Sequence, residues 1–430
     1  MTSPTELTQE ARNILTGNDR GGYTVPNGRV YPFQWNWDSV FVALGFATFD
    51  RDRAWTEIET LFDGQWDDGF MPHIIFWKDD DGYFPGSAIW GTNKDPKSSG
   101  ITQPPVAATA IRWLYETAKT DDEKARASAL YPKVLAWHRW FHEYRDPLGK
   151  GLVLSSHPWE GGRDNSPEWD APAAQVDVSR VDPYVRRDTS HLDQSMRPTK
   201  LDYDRYLALV QFGREAGWNH DVIARENPFR MIDVGLTMIL IRANKDLYAL
   251  AKALGRDKDA EELRARIDLS EDGVNWLWND DIGSFCSRDV ISEKSSAMVT
   301  SASFLAFYAG VGSDVQRQRQ LENLKRVSKA ATYMVPSFDP EHEAFDSIRY
   351  WRGPSWAIVN FMVATGLREV GEEAWAEKVR LDNQKMMEKS GFYEAYCPIE
   401  GSGTGGDDFT WTAAMWLLWA APDAPGVSNL

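Results

Sequence analysis

The chain has 430 residues, with 47 Lys plus Arg against 64 Asp plus Glu and a formal charge of −17. That balance argues against a nucleic-acid partner, which needs a basic face, and no window of about 18 apolar residues suggests a membrane span. Two cysteines, Cys286 and Cys397, do not make a disulfide framework, and the N-terminus lacks a basic stretch followed by an apolar one, so a cytoplasmic protein is expected.

Apolar residues recur at helical spacing along the whole chain. In order, the stretches are Pro4 to Thr16, Trp37 to Thr48, Asp50 to Phe62, Pro105 to Ala118, Asp121 to Tyr144, Leu201 to Ala216, Pro228 to Leu254, Lys258 to Trp278, Ser296 to Ala309, Ser313 to Ser328, Pro354 to Thr365, Glu372 to Lys389 and Phe409 to Trp419. Asp50, Asp121 and Ser313 read as N-caps, and Pro105, Pro228 and Pro354 suit a first turn. Met231 to Ile241, Ser301 to Ala309 and Ala413 to Ala420 are apolar nearly all round, whereas Asp257 to Asp268 and Gln316 to Lys329 carry one apolar stripe and a charged face.

Buried helices alternating with amphipathic ones predict an all-α fold, an (α/α)6 barrel of six inner helices wrapped by six outer ones. No Ser/Gly-rich or Pro-rich linker divides the chain, so residues 1–430 read as one domain. A helical solenoid is the competing architecture, but no fixed repeat supports it. Long irregular stretches separate the helices at Asp63 to Gln103, Gly151 to Lys200, Ala330 to Gly353 and Gly391 to Asp408. Loops this long in a compact domain are usually functional, and those at 63–103 and 151–200 are expected to cap a site at one end.

Chemistry concentrates in these loops. Of twenty tryptophans, Trp35, Trp37, Trp77, Trp90, Trp159, Trp169, Trp351 and Trp356 stand beside Gly, Pro, Asp or Asn or within irregular stretches, where core packing predicts them least. The run His157 to Asp170 combines four carboxylates, two tryptophans, Gly161 and Gly162, and Pro158 and Pro167. Such a run is a shaped loop, because glycine admits unusual backbone angles and proline removes donors. It reads either as a connector with solvated acids or as part of a sugar-cleaving site. Glycoside hydrolysis uses two carboxyl groups flanking the scissile bond, with aromatic faces against the apolar faces of sugar rings. Three further segments share the composition: Tyr31 to Asp38, Tyr350 to Trp356, and Gly391 to Pro398. On residue types alone, Asp38, Glu160, Asp164, Glu168, Glu343, Glu394 and Glu400 all compete for the acid and base roles.

Between Arg180 and Lys200, five cations (Arg180, Arg186, Arg187, Arg197, Lys200) face three acids (Asp182, Asp188, Asp193), which is either surface ion pairing or a place for an anionic group. No metal or cofactor is expected. His138 and His142 lack the Glu of a metalloprotease helix, and Gly401 to Gly406 lacks the Lys-Ser/Thr ending of a phosphate loop.

The four aromatic segments, in this order, resemble those of glycoside hydrolase family 63, and the compact length resembles its bacterial mannosylglycerate and glucosylglycerate hydrolases. The matching motifs are Trp35-Asn-Trp-Asp38, Trp159-Glu-Gly-Gly-Arg-Asp-Asn-Ser-Pro167, Tyr350-Trp-Arg-Gly-Pro-Ser-Trp356, and Phe392-Tyr-Glu-Ala-Tyr396 followed by Phe409-Thr-Trp-Thr-Ala-Ala414. The resemblance covers about Gly21 to Trp419. It implies the six-plus-six barrel and inverting hydrolysis of an α-glycoside, with Asp164 as general acid and Glu394 as general base. An inverting pair stands roughly 6.5–9.5 Å apart to admit water.

By the same resemblance, Asp38, Trp37 and Trp35 line the sugar subsite, with Trp159, Tyr350, Trp351 and Trp356 forming more of its wall and Arg352 tethering a carboxylate. Arg197 and Tyr203 hold a glycerate leaving group, and Tyr31, Tyr83 and Gln103 add contacts to sugar or glycerate. Gly161 departs from the pattern, since many relatives carry Ser there. The resemblance favours glucosylglycerate slightly over mannosylglycerate as the substrate. Alternatives are a general α-glucosidase or α-mannosidase on small oligosaccharides, a sugar epimerase on the same barrel using His157 and His191, and a non-catalytic sugar-binding protein. Homo-oligomerisation stays open.

Overall fold

A computed structural model of the protein describes residues 3–80, 82–187 and 192–426. Asp188 and His191 lie outside the described residues. The helices are α1 (Pro4–Gly17), α2 (Asn36–Phe46), α3 (Arg51–Asp63), α4 (Ser87–Trp90), α5 (Ala107–Glu116), α6 (Asp121–Tyr144), α7 (Asp170–Ala173), α8 (Lys200–Glu215), α9 (His220–Glu226), α10 (Val234–Ala253), α11 (Asp257–Gly273), α12 (Leu305–Ala309), α13 (Asp314–Ala330), α14 (Ala357–Glu369), α15 (Glu373–Ser390) and α16 (Thr410–Met415).

Their packing follows their surface chemistry. Every residue of α2 is buried, and so is α14 from Ala357 to Leu367, whereas α13 buries only Gln320, Leu321, Leu324 and Val327. Helix α2 packs on α5, α5 on α10, α10 on α12, α12 on α14, α14 on α16, and α16 returns to α2. Against this round lie α3 on α2, α6 on α5, α11 on α10, α15 on α14 and α1 on α16. In α2, α12, α16 and α14 as far as Leu367 every residue is buried, which is why these sequences are apolar nearly all round, whereas α5 and α10 keep Glu116 and Lys252 exposed near their ends.

Several expected starts move, each for a local reason. Met231–Ile232 is a strand rather than helix, because the Asp233 carboxylate accepts from the Gly235 and Leu236 amides and opens α10 at Val234. Thr120, not Asp121, caps α6 by accepting from the Glu123 amide, and three acids follow in the first turn, where the helix dipole favours them. Pro105, Pro228 and Pro354 lie ahead of helices that begin at Ala107, Val234 and Ala357. Residues 296–300 are not helical, and a 3₁₀ turn at Ser301–Phe304 leads into α12. Asp50 and Ser313 cap α3 and α13 as expected.

Small sheets pin the loops. Strands β1 (Gln34–Trp35), β2 (Ile74–Phe76) and β3 (Lys97–Ser98) form one antiparallel sheet with Gln34 opposite Ile75 and Ile75 opposite Ser98. Strands β4 (Leu154–Ser155), β5 (Met231–Ile232) and β8 (Arg288–Asp289) form another, β6 (Trp278–Asn279) pairs with β7 (Ser284–Phe285), and β9 (Ala395–Tyr396) pairs with β10 (Gly403–Thr404). Among the described residues no helix is long and apolar enough to cross a membrane.

Candidate active site

The loops converge on a cleft of about 850 Å³, its open mouth included. Of the residues expected in a site, Tyr31, Trp35, Trp37, Asp38, Tyr83, Gln103, Trp159, Asp164, Arg197, Tyr203, Tyr350, Trp351 and Glu394 all line it. Trp356 does not, which corrects the expectation. Its ring lies face to face behind Trp351, centroids 3.9 Å apart and planes within 3°, so Trp351 forms the wall and Trp356 backs it. The cleft also takes in Val30, His73, Phe84, Gly162, Phe409 and Trp411, which the sequence reading did not single out as site residues. Phe409 and Trp411 lie within a recognised motif, whereas His73 sits at the head of an apolar strand and carries no such signal.

Glu394 is buried directly before β9, and the β9–β10 hairpin turns the chain back so that Gly405 and Gly406 cover it. A Cβ on Gly405, which has φ +74°, would lie 2.3 Å from Glu394 Oε2, so only glycine allows this closure. The Tyr31 hydroxyl donates to Oε1 at 2.9 Å and the Gly406 amide to Oε2 at 3.3 Å, while Arg197 Nη1 stands 3.6 Å from Oε2. Burial pushes the carboxyl above its usual range, and the Arg197 charge and the Tyr31 hydrogen bond pull it back. Asp38, in the first turn of α2, is pushed well up by burial, with the Glu394 charge adding to the effect.

Asp164 is partly exposed at the cleft, and its loop is held from several sides. Tyr206 donates to the Asp164 carbonyl at 2.8 Å, Trp169 Nε1 to the Arg163 carbonyl at 2.7 Å, and the Trp351 amide to Asn165 Oδ1 at 2.9 Å. The buried Arg163 guanidinium pairs with Glu168 and, at 2.7 Å, with Asp233. Gly162, at φ +65°, lies against the Trp37 indole, and a Cβ there would fall 2.5 Å from Cζ2. At Gly161 a Cβ would fall 2.3 Å from Asp233 Oδ2, so serine there would require the carboxylate to move.

Of the competing acids Asp38 also lines the cleft, and the others have other partners or other places. Glu160 is buried, pairs with Arg145 at 2.9 Å and accepts from the Ser156 amide. Glu168 holds Arg163, and Glu343 and Glu400 are exposed outside the cleft. His157 is buried between the Trp159 amide and the Tyr206 carbonyl and does not reach the cleft, which removes it as an epimerase proton shuttle. His73 is held neutral by burial, its pKa well below the usual value, and its Nδ1 lies 2.5 Å from Ser99 Oγ.

In the basic run, Arg180 pairs with Glu215 and Lys200 with Asp204 at the surface, Arg187 is exposed, and Arg186 lies over the Tyr203 ring at 4.5 Å. Arg197 alone among its described cations lines the cleft, with its guanidinium over the Tyr350 ring at 4.2 Å. Tyr203 donates to the Phe84 carbonyl at 3.1 Å, Gln103 Oε1 accepts from the Trp37 amide at 3.1 Å, and Tyr83 sets its edge against Trp35 at 5.6 Å. Arg352 does tether a carboxylate, that of Asp170, at 2.7 and 2.8 Å, outside the cleft.

A helical frame whose loops gather indoles, phenols and carboxyl groups around one cleft is that of a glycoside hydrolase. Residues 31–412 match the mannosylglycerate hydrolase MGH1-like glycoside hydrolase domain, and the chain belongs to that family. It is 44% identical over 414 residues to the mannosylglycerate hydrolase of Thermus thermophilus, covering 95% of this chain and 99% of that one. It is 33% identical over 441 residues to the glucosylglycerate hydrolase of Mycolicibacterium hassiacum, covering 97% and 98%. The crystal structure of a family 63 mannosylglycerate hydrolase from Thermus thermophilus in complex with Tris and D-glycerate superposes with a TM-score of 0.92 at 44% identity, over 95% of this chain and 99% of that one.

Proposed function

We propose that the protein hydrolyses an α-linked hexosylglycerate to free hexose and glycerate with inversion, inside a six-plus-six helical barrel whose contact round runs from α2 to α16. The observation that carries this reading is that Asp164 and Glu394, from loops far apart in sequence, face one cleft lined by indoles and a buried arginine. Asp164 gives its proton to the glycosidic oxygen as the C1–O bond breaks. Glu394 takes a proton from water as the new O–C1 bond forms on the opposite face. The Tyr31 and Gly406 donors and the Arg197 charge favour ionised Glu394, the state a base needs.

Trp35, Trp37, Trp159 and Trp351 supply apolar faces to the sugar ring, and Asp38 accepts from its hydroxyls. Arg197, with Tyr203 nearby, receives the glycerate carboxylate, since guanidinium and carboxylate match in charge and fork geometry. Of the two hexoses, mannose is placed first, because the 44%-identical relative is named for mannosylglycerate and the 33%-identical one for glucosylglycerate.

The test is incubation with each hexosylglycerate, read by NMR. Hydrolysis with the β-anomer appearing first supports the reading. A first α-product means retention, an isomerised sugar means an epimerase, and preference for a neutral disaccharide leaves only a general α-glycosidase.

A further inference from the structure

Tyr206 is fully enclosed and does not line the cleft, yet its hydroxyl donates at 2.8 Å to the main-chain carbonyl of Asp164. It stands one turn beyond Tyr203 on α8, a helix that opens at the Thr199 cap two residues after Arg197. A single rigid element therefore follows Arg197, presents Tyr203 to the leaving-group side of the cleft, and holds the residue assigned as proton donor. The ring contacts are continuous: Tyr206 lies 6.2 Å from Tyr203 and 5.4 Å from Trp159, centroid to centroid.

We infer that Tyr206 is a positioning residue, which sets Asp164 in register with the glycosidic oxygen by tying the acid's backbone to the helix that carries the leaving-group contacts. This rests on the assignment of Asp164 as general acid. A carboxyl group can transfer a proton only within hydrogen-bond reach of the leaving oxygen, and a displacement of about 1 Å costs on the order of a hundredfold in rate. Binding the sugar uses other residues, so the loss should fall on kcat rather than KM.

The leaving group gives a readout that a merely structural role would not move. Glycerate departs from a hexosylglycerate as an alkoxide unless its oxygen is protonated, whereas fluoride leaves a glycosyl fluoride with little help from an acid. Tyr206→Phe is expected to lower kcat on mannosylglycerate about tenfold or more, with KM nearly unchanged, and to match the parent on α-mannosyl fluoride. Parent-like kcat on mannosylglycerate, or an equal loss on both substrates, overturns the inference. Asp164→Asn run beside it separates the two claims: a large loss on mannosylglycerate with fluoride hydrolysis kept supports the acid assignment, and parent-like turnover of mannosylglycerate removes that assignment whatever Tyr206→Phe does.

Discussion

The Tyr31 hydroxyl donates to Glu394 Oε1 at 2.9 Å, while Arg197, whose guanidinium also lies 5.9 Å over the Tyr31 ring, stands 3.6 Å from Oε2. Burial favours the protonated form of this group, and a protonated carboxyl cannot accept a proton from water. A donor to the ionised form lowers the pKa, so its removal raises it. Tyr31→Phe should therefore move the acid limb of the kcat/KM profile to higher pH, with activity lost first on the acidic side. A pH–rate series on both proteins checks this, and an unmoved limb would remove Tyr31 from control of the proposed base.

The proposed pair itself is tested by Asp164→Asn and Glu394→Gln, which keep shape and remove the transferable proton or the basic oxygen. Each should cost roughly 10²-fold to 10⁴-fold in kcat on a hexosylglycerate, the range that general acid–base catalysis supplies. Circular dichroism should show the parent helical content in both. Near-parent turnover in either variant would take that residue out of its role.

Most of the frame and most of the cleft were legible because they rest on local chemistry. Helical spacing located the long helices, and the four aromatic motifs hold rather more than half of the residues lining the cleft. What escaped depends on three-dimensional partners. Met231 and Ile232 read as helix until β4 and β8 pair with them and Asp233 caps the helix after them. His73 sits unremarked in the long irregular stretch 63–103, and only the fold brings it to the cleft. Trp351 and Trp356 share one motif, and nothing in their spacing says which of two stacked indoles stands in front. On residue types alone the run of cations around Arg197 looks uniform, and only the resemblance picks that residue out; in the fold, surface ion pairs occupy Arg180 and Lys200.

Arg197→Ala should affect two functions, because the guanidinium is proposed to receive the glycerate carboxylate and also lowers the pKa of Glu394 from 3.6 Å away. Loss of a buried carboxylate contact should lower kcat/KM on mannosylglycerate by about 10²-fold or more. A neutral analogue, the matching hexosylglycerol, has no carboxylate to lose and should fall less, only through the raised pKa of Glu394. The diagnostic quantity is the ratio of the two kcat/KM values, which should drop in the variant. An unchanged ratio would mean that Arg197 serves the base alone.

Gly162 shows how closely the proposed acid loop is fitted to the Trp37 indole. Its φ of +65° disfavours any side chain, and a Cβ would lie 2.5 Å from the buried Trp37 indole, which is packed edge-on against Trp411 at 6.0 Å and cannot retreat freely. Gly149 has a similar φ of +60° but open space around it, so it isolates the backbone strain from the contact. Gly149→Ala should cost about 1–2 kcal/mol of stability and leave turnover intact. Gly162→Ala should cost roughly 1–3 kcal/mol more from overpacking, and it should lower kcat by displacing Asp164 from the cleft. Denaturant unfolding and steady-state kinetics on the two variants provide the comparison. Equal stability losses with turnover kept in both would show that the loop yields to Trp37 without moving the acid.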